Sequence, residues 1–202
     1  HVWREVNSPA AVCGVVLVLV SGGVMESAIR AAVACYVDGV ERDYVATTAN
    51  VAAALYQVLN EHLEDTINWC GFYFLRPSGR ADAVEAGEEL VLGPFQGKPA
   101  CPRILVGKGV CGTAVQQRKS ILVEDVHSFP GHIACDAVSE SEVVVPVFSA
   151  GGHTLVGVLD IDSRVKARFT QQLQETLEEV CVQLQTACDW EPLLREMTDS
   201  SS

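Results

Sequence analysis

Cys101, Cys111 and Cys135 fall within 35 residues of one another, each in a stretch rich in glycine or other small residues. Glu142 follows the last of them by seven positions, and a later alternating run closes on Asp160 and Asp162. The reactive form of cysteine is the thiolate, which needs an accessible, polar setting. Cys135 has one in Gly131-His132-Ile133-Ala134-Cys135-Asp136, with His127 and His132 close enough in sequence to help lower its pKa. Once oxidised to a sulfenic acid, such a thiol condenses with a second thiol to give a disulfide. Cys101 and Cys111 are both within loop reach, and spacing alone does not choose between them, because a bridge needs Cα atoms within roughly 7 Å. Asp160 and Asp162 are two apart on a strand and share a face, while Leu159 and Ile161 take the other. Like charges so close repel, which favours a proton on one of them near neutral pH. A protonated carboxylic acid can pass that proton to a leaving oxygen. A nucleophile, spare thiols and carboxylates are the parts of a thiol redox enzyme.

Two other groupings bear on a site. Trp69 and Tyr73 lie four apart on an aromatic strand, hence on one face, where they can wall an apolar pocket. Gly107 to Gly112 (GKGVCG) opens a helix, and its backbone N–H groups suit a carboxylate or phosphate. His132 and Cys135 have ligand-like spacing. Yet no Cys-x-x-Cys pair occurs, and a zinc site needs two further ligands, so neither metal nor organic cofactor is expected.

The elements that must position these residues read as follows. Helical spacing without Gly or Pro covers Ser27 to Val37. A second helix runs from Asp43 to Leu63, with Val51, Leu55, Val58 and Leu59 as its apolar stripe. Strands are predicted at Asp65–Leu75, Glu89–Phe95, Cys101–Val106 and Ser120–Val126, with a short helix at Val110–Arg118 before the last. A long polar loop over Val126–Ser141 leads to a hairpin of Glu142–Ser149 and Thr154–Asp162, turning at Ala150-Gly151-Gly152-His153. The hairpin lets the ends holding Glu142 and Asp162 lie side by side. Phe169–Cys188 closes the chain as an amphipathic helix with Leu173, Leu177, Val180 and Leu184 on one face. Helices, then strands, then a helix is the order of an α+β fold, here an antiparallel sheet with helices packed on it.

Composition excludes several classes. Of 202 residues, 49% are apolar and 20% charged, which is a core-forming chain. The net charge of −12, from 26 acids against 14 bases, argues against nucleic acid or an anionic membrane as partner. The apolar run Ala10–Val20 has 11 residues, where a spanning helix needs about 20. Eight cysteines in a chain with this much core do not read as a secreted disulfide framework, so a reducing, cytoplasmic setting is expected. Cys13, Cys35, Cys70, Cys181 and Cys188 lie in apolar or helical contexts and are expected to be buried.

Six ordered segments carry a resemblance. Asn68-Trp69-x-Gly71-Phe72-Tyr73, Leu92-Gly93-Pro94-Phe95-Gln96-Gly97-Lys98, Gly107-x-Gly109-Val110-Cys111-Gly112-Thr113-Ala114, Glu124-Asp125-Val126-His127, Gly131 to Asp136 and Gly157-Val158-Leu159-Asp160-Ile161-Asp162-Ser163 resemble the GAF-domain free methionine-(R)-sulfoxide reductases. The resemblance spans about residues 27–187. Residues 1–26 then form an extension of unclear role and 188–202 a C-terminal tail. It implies a GAF fold with a central antiparallel sheet of about six strands flanked by helices. The implied reaction is reduction of free L-methionine (R)-S-oxide, with a thioredoxin-like reductant and a homodimer. By the same resemblance Cys135 is the nucleophile, Cys101 the main resolving thiol and Cys111 an auxiliary. Glu142, Asp160 and Asp162 bind the sulfoxide oxygen and substrate ammonium and supply the proton; Trp69 and Tyr73 enclose the methylthio end. Pro102, directly after Cys101, is a small departure that stiffens this loop. GAF domains also serve as non-catalytic sensors of small ligands, which is the alternative role.

Overall fold

Alternation along β1 (Ile67–Pro77) decides the architecture. Cys70, Phe72 and Phe74 turn to one face and Trp69, Tyr73 and Leu75 to the other, and all six are buried. A strand apolar on both sides must be covered on both sides. β1 accordingly lies inside a six-stranded sheet of order β3-β2-β1-β6-β5-β4, in which every pairing is antiparallel. Its partners are β2 (Glu88–Gly97), β3 (Arg103–Leu105), β4 (Ile121–Val123), β5 (Ser141–Phe148) and β6 (Leu155–Ser163). This computed structural model describes residues 23–78, 88–133 and 135–198. The apolar run at 10–20 and Cys13 lie outside the described residues, as does nearly all of the expected extension.

One face carries the larger core. Against it pack α1 (Val24–Val37), α2 (Tyr44–His62), α4 (Gln171–Ala187) and α5 (Glu191–Thr198). Asp43 caps α2 by accepting from Ala46 N–H at 2.8 Å, and Thr170 caps α4 by accepting from Leu173 N–H at 3.1 Å. Both predicted stripes are buried: Val51, Leu55, Val58 and Leu59 on α2, and Leu173, Leu177, Val180 and Leu184 on α4. The other face carries a smaller core under α3 (Gly109–Gln117), and that is the face with the pocket.

Beside a β3 shortened from the expected Cys101–Val106 to Arg103–Leu105, three features differ from the sequence reading. First, the strand expected over Ser120–Val126 keeps only Ile121–Val123, because Asp125 accepts from His127 N–H at 3.0 Å and turns the chain into a 3-10 helix at Val126–Ser128. Second, Cys35 is exposed, whereas Cys70, Cys181 and Cys188 are buried as expected. On α1 the buried positions are Glu26, Ile29 and Val33, and two residues beyond Val33 is a rotation of about 200°. Third, the chain does not close on α4: Glu191–Thr198 forms a further helix. Trp190 is buried, its Nε1 donates to the Leu184 carbonyl at 3.1 Å, and its ring lies 5.7 Å from Tyr44 and 6.1 Å from Phe74. Leu193 is also buried, and Arg76 pairs with Glu196 at 2.7 Å. Among the described residues no helix is long and apolar enough to cross a membrane.

Trp190→Ala should therefore cost about 3–5 kcal/mol of stability, the range for a buried aromatic truncated in a packed core. Urea unfolding measures it; a loss below about 1 kcal/mol would mean that α5 rests on the surface without supporting it.

Candidate active site

The β5–β6 hairpin sets the floor of the site. Its register pairs Glu142 with Asp162 and Val144 with Asp160, and the neighbouring β1 pairs Trp69 with Asp162 and Gly71 with Asp160. The three carboxylates thus share one face, and Val143 and Ile161 fill the opposite core. A slip of one residue would exchange the two sets. Beside them the Trp69 ring is stacked between Tyr73 (5.7 Å) and Phe95 (5.4 Å). Gly71 leaves the room for this: a Cβ there would lie 2.7 Å from the indole and collide with Phe95. β2 shifts register between Phe95 and Leu92, which accommodates Pro94 within the strand.

Loops and α3 bring in the sulfurs. The chain enters α3 at Gly109 with φ +61°, a conformation that favours glycine, and the first turn places Cys111 Sγ 3.9 Å from Glu142 Oε1. Cys101 lies between β2 and β3, and Cys135 in the loop from β4 to β5. A disulfide joins them, with Cα atoms 5.5 Å apart, while Cys111 remains a thiol. Both loops are fastened to the sheet. Tyr73 Oη donates to the Cys101 carbonyl at 3.0 Å, and Leu92 N–H donates to the Pro102 carbonyl at 3.0 Å. Asn68 Nδ2 donates to Ser139 Oγ at 2.9 Å and to Asp136 Oδ2 at 3.4 Å, and Lys98 lies 3.6 Å from Asp136.

A partly open pocket lies on this face of the sheet. Trp69, Tyr73, Cys111, Cys135, Glu142, Asp160 and Asp162 all line it; Cys101 packs behind its wall. Burial pushes the Glu142 and Asp162 carboxyls well up, and Asp160 adds to both; burial raises Asp160 to about 7. The Cys111 thiol is likewise raised, by burial and then by Asp160 and Glu142. His132, whose Nε2 lies 3.7 Å from Glu142 Oε2, is lowered by burial and by His127, which favours the neutral imidazole. Trp69 Nε1 and Asp160 Oδ1 line the pocket as buried polar atoms without a hydrogen-bond partner among the described residues. Such atoms are costly unless a ligand meets them.

His127, exposed and 3.5 Å from Glu140, stands outside the pocket; the other sequence-predicted site residues converge on it or its wall. The Gly107–Gly112 segment contributes too, since Lys108 and Gly109 line the opening. Sequence reasoning gave no part to Asn68, Ser139 or Asp136 in holding the Cys135 loop. Only the Asn68 position, at the head of an aromatic strand and next to Trp69, offered a signal.

Comparisons with known proteins follow the same lines. Residues 43–188 match the GAF domain family. The chain is similar to Protein YtsP of Bacillus subtilis, 50% identical over 150 residues, which span 71% of this chain and 83% of that one. It is 48% identical over 145 residues to the free methionine-R-sulfoxide reductase of Escherichia coli, covering 72% of this chain and 78% of the relative. Among solved structures, the free methionine-R-sulfoxide reductase of Neisseria meningitidis in complex with its substrate superposes with a TM-score of 0.67 at 38% identity, over 83% of this chain and 92% of that one.

The raised carboxyls have a consequence for stability. The folded protein holds protons that an unfolded chain releases near pH 4, so it binds the more protons between there and about 7. The stability this proton binding contributes is full below the ordinary carboxylate range and is lost as pH rises through about 7. Urea midpoints of the oxidised protein should fall between about pH 5 and pH 8, and Asp160→Asn should flatten the fall. A midpoint that rises over this window would contradict the assigned burial of charge.

Proposed function

The chain belongs to the GAF-domain free methionine-R-sulfoxide reductases, and from that premise we infer that its pocket reduces free L-methionine (R)-S-oxide through Cys135. The observation that carries this reading is the Cys101–Cys135 disulfide at a pocket floored by proton-holding carboxylates. One of these acids gives its proton to the sulfoxide oxygen while the Cys135 thiolate attacks sulfur. The sulfoxide S–O bond breaks as the hydroxyl passes to the Cys135 sulfur, methionine leaves with its sulfur reduced by two electrons, Cys135 is left oxidised as the sulfenic acid, and the carboxylic acid is reprotonated from solvent. The Cys101 sulfur then attacks Cys135; the S–O bond breaks, water departs and the disulfide forms. An external dithiol of the thioredoxin class restores both thiols by exchange and leaves as its own disulfide.

The remaining groups fit a free amino acid. Its ammonium needs a counter-charge, and whichever of Glu142, Asp160 and Asp162 is ionised provides one. Trp69 and Tyr73 enclose the methylthio end. The neutral His132 stands beside Glu142. A purely ligand-sensing role leaves the thiol pair and the acids without a use. The same reading takes a homodimer in a reducing, cytoplasmic setting as the working form.

Cys135→Ser should abolish turnover of the R sulfoxide in an NADPH-coupled assay with thioredoxin and its reductase, and retained turnover would sink the assignment. Cys101→Ser should release about one methionine per protein and then stall, because the sulfenic acid lacks its partner. Normal multiple turnover there would transfer the resolving role to Cys111.

A further inference from the structure

Cys111 is the pocket thiol that the proposed reaction leaves idle. Its Sγ and one carboxylate oxygen each from Glu142 and Asp160 all lie within 4.8 Å of one another. All three residues are at least nine-tenths buried. We propose that these three groups form a binding site for a thiophilic divalent cation of the zinc class. The site overlaps the position proposed above for the substrate, and that part of the inference rests on the reductase reading.

The geometry is close to what such an ion asks for. Zinc bonds of about 2.3 Å to sulfur and about 2.0 Å to oxygen, at the tetrahedral angle, separate the two ligand atoms by about 3.5 Å. Cys111 Sγ and Glu142 Oε1 stand 3.9 Å apart. Hydrogen bonds among the Cys111 thiol, Glu142 and the Asp160 carboxyl account for the grouping equally well, but they leave the Oδ1 atom of Asp160 unexplained. That atom is buried, lines the pocket and has no partner among the described residues. The imidazole of His132, 3.7 Å from the second oxygen of Glu142, stands where it can back a bound carboxylate.

The contrast with a surface cluster is instructive. Asp125, His127 and Glu140 are grouped as tightly, but Lys166 already lies 2.7 Å from Asp125 and 3.9 Å from Glu140. The pocket trio has no such lysine or arginine pair among the described residues. Its ligand donors are also mixed, one soft sulfur with two hard oxygens, a set that suits zinc or cadmium better than magnesium or calcium. Binding involves no redox change: the Cys111 S–H bond breaks, the sulfur–metal bond forms, and the proton goes to solvent.

Cadmium is the spectroscopic probe, because a cadmium–thiolate bond absorbs in the ultraviolet. The test uses the full chain with the Cys101–Cys135 disulfide intact, so that neither of those sulfurs can ligate. Wild type should bind one more cadmium–thiolate equivalent than Cys111→Ser, and equal numbers would overturn the proposal. Asp160→Asn and Glu142→Gln keep the thiol, and each should weaken Zn²⁺ binding at least tenfold in competition with a chromophoric chelator. Unchanged affinity in both overturns it even if Cys111→Ser fails to fold. With reduced wild type, Zn²⁺ should inhibit competitively against the sulfoxide, and a non-competitive pattern would remove the claimed overlap. The binding experiments involve no turnover, so their failure would leave the reductase reading untouched.

Discussion

A carboxylate taken out of water with no partner costs more than the net stability of a typical domain. Glu142 and Asp160 are both buried on the same hairpin face, and Asp162 is half-buried beside them. They can share that floor only by holding protons or by meeting a cation. Each property assigned to the pocket is one answer to this constraint. A held proton is what a leaving oxygen needs. A missing cation is what an ammonium group, or a metal ion, supplies. The same field keeps Cys111 a thiol, while Cys135 sits half-buried at the rim, away from the full cost of burial. Burial, more than sequence context, gives the cysteines different surroundings.

The second requirement is placement. Cys101 and Cys135 come from separate loops, and nothing in either loop alone fixes the distance between them. Tyr73 and Leu92 hold the first at the backbone, and Asn68 holds the second through Ser139 and Asp136. Tyr73 and Asn68 belong to the central strand that also carries Trp69. One strand therefore aligns the aromatic wall with both thiol loops, and Pro102, for all that it lacks an N–H, takes part through its carbonyl.

Much of this was legible beforehand because the signals were periodic. The two-residue alternation in LVGVLDID already put Asp160 and Asp162 on one side, and the Asp43 and Thr170 caps mark helix starts by local chemistry. What escaped was set by tertiary contact. The partner of Cys135 is a matter of distance in space, which spacing along the chain does not contain. Strand β4 is cut short by one side chain, Asp125, bonding to its own loop. Cys35 follows an apolar run that reads as buried on every side, though α1 meets the core along a single stripe. Helix α5 gives a weak signal in sequence because it is short and starts with Glu191-Pro192. Yet Trp190, Leu193, Leu194 and Met197 have helical spacing, Pro suits a first turn, and Asp189 accepts from Glu191 N–H at 3.1 Å.

The disulfide also closes a loop of 34 residues. Closing a loop of that length in the unfolded chain removes entropy worth about 4 kcal/mol in the simplest chain model. By the closed thermodynamic cycle, whatever the crosslink adds to the fold, the fold returns to the crosslink. Folding therefore makes this bond harder to reduce than the same pair in a loose chain, by the same free energy. The shape of the protein is thus part of its redox chemistry: a reductant must oppose the folding of two loops as well as the strength of a sulfur–sulfur bond.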